Sequence, residues 1–245
     1  MCTVTWTSRP GGYALYFNRD ERRSRVAALP PAPAVGDGVR YLAPRDPEGG
    51  GSWIVASETG WTVCLLNFWA SAPLVDAAER SSRGLLVTGL AAIDRFERVA
   101  EHADPRRYRP FTLLVLDPAG EARAFRSDGL EFIRRWAPDP PLLSSSSWDE
   151  GSVEGTREEL WRASSLATGG TRADALAFMT RHAPERGPAS PCMHRPDART
   201  VSLTVVEVGA QRVSMAYADG PPCRHPLAEP VWLPRECCST VLSSP

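Results

Sequence analysis

The opening of the chain constrains its fold more than any other segment. Thr3, Val4, Thr5 and Trp6 are strand formers, Arg9-Pro10-Gly11-Gly12 is a turn signal, and Tyr13 to Phe17 make a second strand. Side chains alternate between the two faces of a strand, so Cys2, Val4 and Trp6 share one face, and Tyr13, Leu15 and Phe17 alternate likewise. With the turn centred between Pro10 and Gly11, antiparallel pairing sets Cys2 opposite Arg19. A bulge would move that register by a residue or two. Either way, the polar run Asn18-Arg19-Asp20-Glu21 returns to the neighbourhood of the N-terminus.

That return gives position 2 a chemical meaning. If Met1 is removed, Cys2 carries a thiol and a free α-amine on one residue. An α-amine titrates near pH 8, so part of it is neutral at physiological pH and can serve as the base for the thiol. A cation such as Arg19 would lower the thiol pKa, and a carboxylate such as Asp20 would hold the amine by a charge-assisted hydrogen bond. Taken singly, Cys2 is a small residue opening a strand and Asn18 to Glu21 is a solvated turn. Their coincidence favours a site.

The same residues carry a resemblance. Met1-Cys2-Thr3, Gly12-Tyr13 and Phe17-Asn18-Arg19-Asp20-Glu21 resemble the opening of the NRDE family, the transport and Golgi organisation proteins named for an Asn-Arg-Asp-Glu tetrapeptide. In the same order, Arg45 to Trp53 is similar to the family's Arg-Asp-x-x-x-Gly-Gly-Thr-Trp segment, Leu66-Asn67-Phe68 to its Leu-Thr-Asn-Tyr, and Ser82-Arg83-Gly84 to its Ser-Arg-Gly. These ordered segments span roughly the first 90 residues, whereas the second half matches only through Leu143 to Ser146 and the stretch around Arg199.

The resemblance implies an α+β fold, the four-layer αββα sandwich of N-terminal-nucleophile hydrolases, with Cys2 as nucleophile and Arg19 and Asp20 beside it. It extends more distantly to bile-salt and penicillin-type acylases, in which the segment like Leu66-Asn67-Phe68 would make Asn67 an oxyanion donor. Asn18, Ser145 and Arg199 are the residues it suggests for substrate contact. One departure stands out: Ser145 occupies the place where relatives have a second oxyanion-stabilising Asn. A hydroxyl donates one hydrogen bond and reaches less far than an amide, which disfavours amide hydrolysis and favours either a reactive thioester substrate or a non-catalytic role. The family's ties to haem and lipid metabolism imply the competing reading, a haem or acyl-CoA carrier on the same scaffold.

Composition narrows the alternatives. A formal net charge of −1 leaves no electrostatic footprint for nucleic acid or an anionic membrane. No run approaches the ~20 apolar residues of a membrane span. Trp6, Arg9 and the charged turn interrupt any signal-peptide core. A cytoplasmic protein with reduced cysteines is therefore expected, and the adjacent Cys237-Cys238 do not suggest an ordinary disulfide. All basic residues are Arg. At 245 residues, 42% of them hydrophobic, one domain over 1–245 is expected.

Farther along, Gly51 to Val55 and Trp61 to Asn67 read as strands, and Leu86, Leu90, Ile93 and Phe96 recur at helical spacing up to Asp104-Pro105. Phe111 to Leu116 and Ala122 to Phe125 form a hairpin, as do Thr200 to Val208 and Arg212 to Tyr217. Thr156 to Glu159 and Thr171 to Asp174 look like capping boxes. The proline-rich stretches Pro30 to Pro33 and Pro138 to Pro141 read as loops.

Two further patterns bear on function. Cys192-Met193-His194 and Cys223-Arg224-His225 repeat Cys-x-His, and four such groups could close a zinc site. The spacing is atypical, so no metal is expected there and His194 reads as a loop residue. Haem ligation by these residues has equally thin support. Arg199, at a strand start, could grip a carboxylate or phosphate bidentately or be a solvated Arg. The expected activity is thus hydrolysis of an acyl amide or thioester by Cys2, with no cofactor.

Overall fold

The computed structural model describes residues 2–69, 80–147 and 149–236. Met1 and Cys237-Cys238 lie outside the described residues. In chain order the strands are β1 (Cys2–Arg9), β2 (Gly12–Arg22), β3 (Leu29–Gly36), β4 (Val39–Arg45), β5 (Ile54–Ser57), β6 (Thr62–Asn67), β7 (Phe111–Leu116), β8 (Ala122–Ser127), β9 (Phe132–Trp136), β10 (Leu142–Ser145), β11 (Ala198–Val208), β12 (Arg212–Asp219) and β13 (Val231–Pro234). The helices are α1 (Arg83–Gly89), α2 (Arg98–His102), α3 (Glu150–Arg162) and α4 (Arg172–Met179).

Two antiparallel sheets result. One has the order β10-β1-β2-β11-β12-β13; the other is a meander from β3 to β9. The β1–β2 hairpin forms in the expected register, with Cys2 opposite Arg19. Strand β1 is also flanked by β10, which sets Ser145 opposite Cys2 on its other side. The N-terminal strand is thus an interior strand with hydrogen-bonding partners along both edges.

Three separate apolar cores define four layers. Val4, Trp6, Leu15, Phe17, Ile54, Leu66 and Leu114 fill the space between the sheets. Val55, Val63, Leu86, Leu90, Leu113 and Phe125 lie between the meander and α1–α2. Tyr16, Trp161, Phe178, Leu203 and Val205 lie between the first sheet and α3–α4. This is the αββα sandwich. Period-two alternation explains it, because both faces of β2 and β11 are covered and each strand contributes to two cores. Tyr13 ties the sheets together, donating to Thr62 Oγ1 at 2.6 Å and contacting the Gly60 carbonyl at 3.0 Å.

Three local expectations are corrected. Pro30 to Pro33 belong to β3, whose register with β4 shifts between Leu29 and Ala32. An edge strand tolerates the missing N–H groups, so proline there does not force a loop. The helix expected through Leu86 to Phe96 divides, since α1 stops at Gly89, although Leu90 and Ile93 still pack into the core. Thr156 opens nothing: α3 begins at Glu150, capped by the Asp149 side chain on the Ser152 N–H, and Thr156 lies inside it. Thr171 and Asp174 do form the reciprocal capping box at α4. Among the described residues no helix is long and apolar enough to cross a membrane.

Candidate active site

Cys2 is 7% exposed and borders a cleft of about 260 Å³ at the end of the inter-sheet core. The cleft wall includes Arg19, Trp53, Leu65, Asn67, Arg83 and Arg109. It thus joins two ends of sequence segments read separately: the N-terminal hairpin and the C-terminal end of β6. Asn67 closes β6 and is half-buried in that wall. Ser145 is buried beside Cys2, and its hydroxyl has no hydrogen-bond partner among the described residues.

Arg19 is held from three directions. Its guanidinium lies 4.4 Å above the Trp53 ring and ion-pairs with Glu21 at 3.4 Å and Asp46 at 3.5 Å. Asp46 also binds Arg25 at 2.6 Å, so the loop after β4 is tied to the hairpin. Cation–π stacking and paired carboxylates fix a planar side chain that would otherwise lose several rotamers on binding. Arg25, the Gly49 backbone and Arg19 hold the Asp46 carboxyl below its ordinary range despite the burial that opposes them.

Glycines explain why two distant segments meet here. A Cβ on Gly51 would lie 2.1 Å from the Gly84 carbonyl carbon, so the two backbones touch, and Ser52 N–H donates to the Gly84 carbonyl at 3.1 Å. This contact carries Trp53 and Arg83 into the cleft together. Burial, reinforced by the neighbouring charge of Arg109, pulls the Arg83 guanidinium down to about 10. Five arginines and three carboxylates line the cleft, which is therefore cationic.

Beneath the sheet lies a second polar layer. Asp20 accepts from Thr200 Oγ1 at 2.6 Å and ion-pairs at 3.6 Å with Arg157, whose side chain is fully buried. Arg157 also donates to the carbonyls of Cys2 (3.2 Å), Pro188 (2.9 Å), Ala189 (3.3 Å) and Ser190 (3.1 Å). Burial raises the Asp20 carboxyl above its usual value, with Arg157 and Thr200 opposing that rise. Burial also raises the Cys2 thiol; the Asp20 charge adds to the rise, while the Asp20 backbone hydrogen bond to the sulfur and the Arg19 charge oppose it. In the sequence Arg157 stands only as the second residue of a cap-like Thr156 to Glu159 signature. Its signal was a lone Arg at an apolar-facing position of α3, four residues before the buried Trp161.

The expected substrate residues separate. Asn18 lies on the helical side of β2, where its amide donates to the Met179 and Pro191 carbonyls at 2.8 and 2.9 Å, away from the cleft. Strand alternation already carried that information, because Asn18 must face away from Arg19. Arg199 is exposed on β11 and lines a neighbouring cavity with Arg22 and Arg23. Of the expected set, Cys2, Arg19, Asp20 and Asn67 border the cleft itself. Of the two Cys-x-His pairs, Cys192, His194 and Cys223 do converge, but with His182 as their fourth neighbour; His225 lines a separate cavity with Tyr217 and Leu227.

Two packed antiparallel sheets between helical layers are the fold of the N-terminal-nucleophile hydrolases. Solved structures of that kind are similar. A Caenorhabditis elegans N-acylethanolamine-hydrolyzing acid amidase ortholog aligns with a TM-score of 0.59 at 9% identity, covering 86% of this chain and 93% of its own. Penicillin V acylase from Agrobacterium tumefaciens gives 0.52 at 11% identity, covering 96% and 86%. A conjugated bile acid hydrolase variant from Clostridium perfringens gives 0.52 at 11%, covering 89% of each chain. At such identities the likeness is one of fold. The sequence itself decides the family: the model described as Transport and Golgi organisation 2 matches residues 1–157, and the chain belongs to that family. No curated protein matches the sequence.

Proposed function

We propose that the protein hydrolyses an acyl amide or thioester with Cys2 as its nucleophile after removal of Met1. The observation that carries this reading is the position of the Cys2 sulfur, at the end of an interior strand, against an arginine-rich cleft. The α-amine of a processed Cys2 takes the thiol proton, directly or through water, while the Asp20 carboxylate holds the amine. The thiolate adds to the substrate carbonyl. Asn67 and Ser145 donate to the resulting oxyanion, and Arg19 stabilises the thiolate before attack. Collapse of the tetrahedral adduct expels the amine or thiol leaving group, which takes its proton from the α-ammonium. Water activated by the same amine then hydrolyses the acyl-enzyme, releasing a carboxylic acid and restoring the thiol.

The cationic wall supports an acyl substrate with an anionic group, because buried or half-buried guanidinium groups pair with carboxylates and phosphates. The single hydroxyl of Ser145 supports a thioester over an unactivated amide. The same arginines also favour a second reading, a carrier whose ligand bears haem propionates or the phosphates of an acyl-CoA. A cytoplasmic setting is part of both readings.

Intact mass and turnover separate them. Loss of one methionine mass, alkylation of Cys2 and acid release from anionic acyl amides or thioesters, all abolished in folded Cys2→Ala, are the expected results. Turnover unchanged in Cys2→Ala excludes the hydrolase reading. Retained Met1, with haem or acyl-CoA affinity unaltered by Cys2→Ala, establishes the carrier.

A further inference from the structure

We infer that His182, Cys192, His194 and Cys223 form a structural zinc site, separate from the Cys2 cleft and independent of the hydrolase reading. Each residue offers one ligand atom, and the four atoms lie within 4.8 Å of one another. Both sulfurs converge on the same atom, His194 Nε2, at 3.6 Å from Cys192 and 3.3 Å from Cys223. Zinc bonds of about 2.3 Å to sulfur and 2.0–2.1 Å to nitrogen, at tetrahedral angles, place sulfur and nitrogen about 3.6 Å apart. The Cys192 separation matches that spacing and the Cys223 separation is slightly shorter.

Other uses of these side chains account for less. Cys192 and Cys223 are free thiols. The His182 and His194 rings meet edge to face, with centroids 5.0 Å apart, and His182 Nε2 is buried with no hydrogen-bond partner among the described residues. Two thiols and two imidazoles are a soft donor set that suits zinc over magnesium or calcium. Four protein ligands leave no open position, so the metal is structural. On binding, the two thiols lose their protons to solvent and the imidazoles bind in their neutral form.

The topology shows what such a metal would hold. His182 follows α4, Cys192 and His194 lie in the long connection between α4 and β11, and Cys223 sits in the turn after β12. A segment of that length without regular structure has few ties of its own. It nevertheless supplies the Pro188, Ala189 and Ser190 carbonyls that receive Arg157, and the Pro191 carbonyl that receives Asn18. The Met193 N–H donates to Thr200 Oγ1, which donates to Asp20. Zinc would therefore pin the layer on which Asp20 and Arg157 rest.

The test is metal analysis of the full chain, purified under reducing conditions with any affinity tag removed. Elemental analysis should find about one zinc per chain, retained in His225→Ala and Cys2→Ala and lost in His182→Ala and Cys223→Ser. Chelated wild-type protein should take up one equivalent of Co(II), with the visible bands of a tetrahedral site and a sulfur-to-cobalt charge-transfer band. That titration decides the matter even if the variants fail to fold. It should also raise the melting temperature of the chelated protein. Absence of zinc together with absence of Co(II) uptake overturns the inference. So does a Cys192–Cys223 disulfide in protein prepared under reducing conditions, or loss of metal in His225→Ala but not in His182→Ala.

Discussion

Replacing Arg157 with Met would remove the guanidinium that faces the buried Asp20 carboxylate. Both side chains are fully buried and 3.6 Å apart. Removing one partner of a buried ion pair costs about 3–5 kcal/mol, because the remaining charge keeps its desolvation penalty. The change also strands the carbonyls of Cys2, Pro188, Ala189 and Ser190, which now receive the guanidinium. Each adds on the order of 1 kcal/mol where water cannot enter, though these contributions overlap with the first and do not sum. For a chain of this size each kcal/mol shifts the melting temperature by about 2–4 °C, so Arg157→Met should melt roughly 10 °C below wild type. Urea denaturation of Arg157→Met, Asp20→Asn and the double variant gives the coupling directly. Relief of the buried charge should make the double variant more stable than the sum of the singles, by about 1–3 kcal/mol. Arg157→Lys should fall between, since it keeps the charge but loses the planar fork. Additive effects, or an Arg157→Met protein that melts with wild type, would refute the reasoning.

Gly51→Ala should destabilise the fold by about 3 kcal/mol, because the new methyl meets the Gly84 backbone and neither loop can yield cheaply; denaturant midpoints check this. Asn67→Ala should leave stability nearly unchanged and lower the turnover proposed for Cys2 by about 10²–10³, measured as kcat on an acyl thioester. Burial and the nearby Glu154 lift the Glu150 carboxyl to about 7 from 4.5. The folded chain therefore holds that proton more tightly than the unfolded chain does, a contribution complete below the unfolded pKa and lost as pH rises through about 7. Glu150→Gln should flatten this slope and be the more stable form at pH 8, by about 1 kcal/mol after allowing for the screening of a half-exposed group. Melts at pH 5 and pH 8 distinguish that outcome from a pH-independent change.

What could be read in the chain follows the range of the forces involved. The β1–β2 hairpin was legible because strand alternation and one tight turn set its register, and only the structure shows that no bulge shifts it. The hairpins β7–β8 and β11–β12 and the capping box at Thr171 were legible for the same reason. Pro30 to Pro33 were misjudged because proline's cost depends on whether a strand lies at an edge, which sequence does not state. At Thr156 a local signature was present, but Asp149 supplies the cap about two turns earlier, and burial of Arg157 and Trp161 stabilises the longer helix.

By itself, the sequence determined that Cys2 and Arg19 stand side by side and that Asn67 ends a strand, since each depends on neighbours within one hairpin. It also supplied the segments that resemble one family. Only tertiary structure decided that Arg157 reaches under Cys2, that Gly51 and Gly84 bring Trp53 and Arg83 to one cleft, and that His182 rather than His225 joins Cys192, His194 and Cys223. Those choices link residues far apart in the chain. They are made by which layers pack together and by buried charges and backbone carbonyls that must find partners once water is excluded.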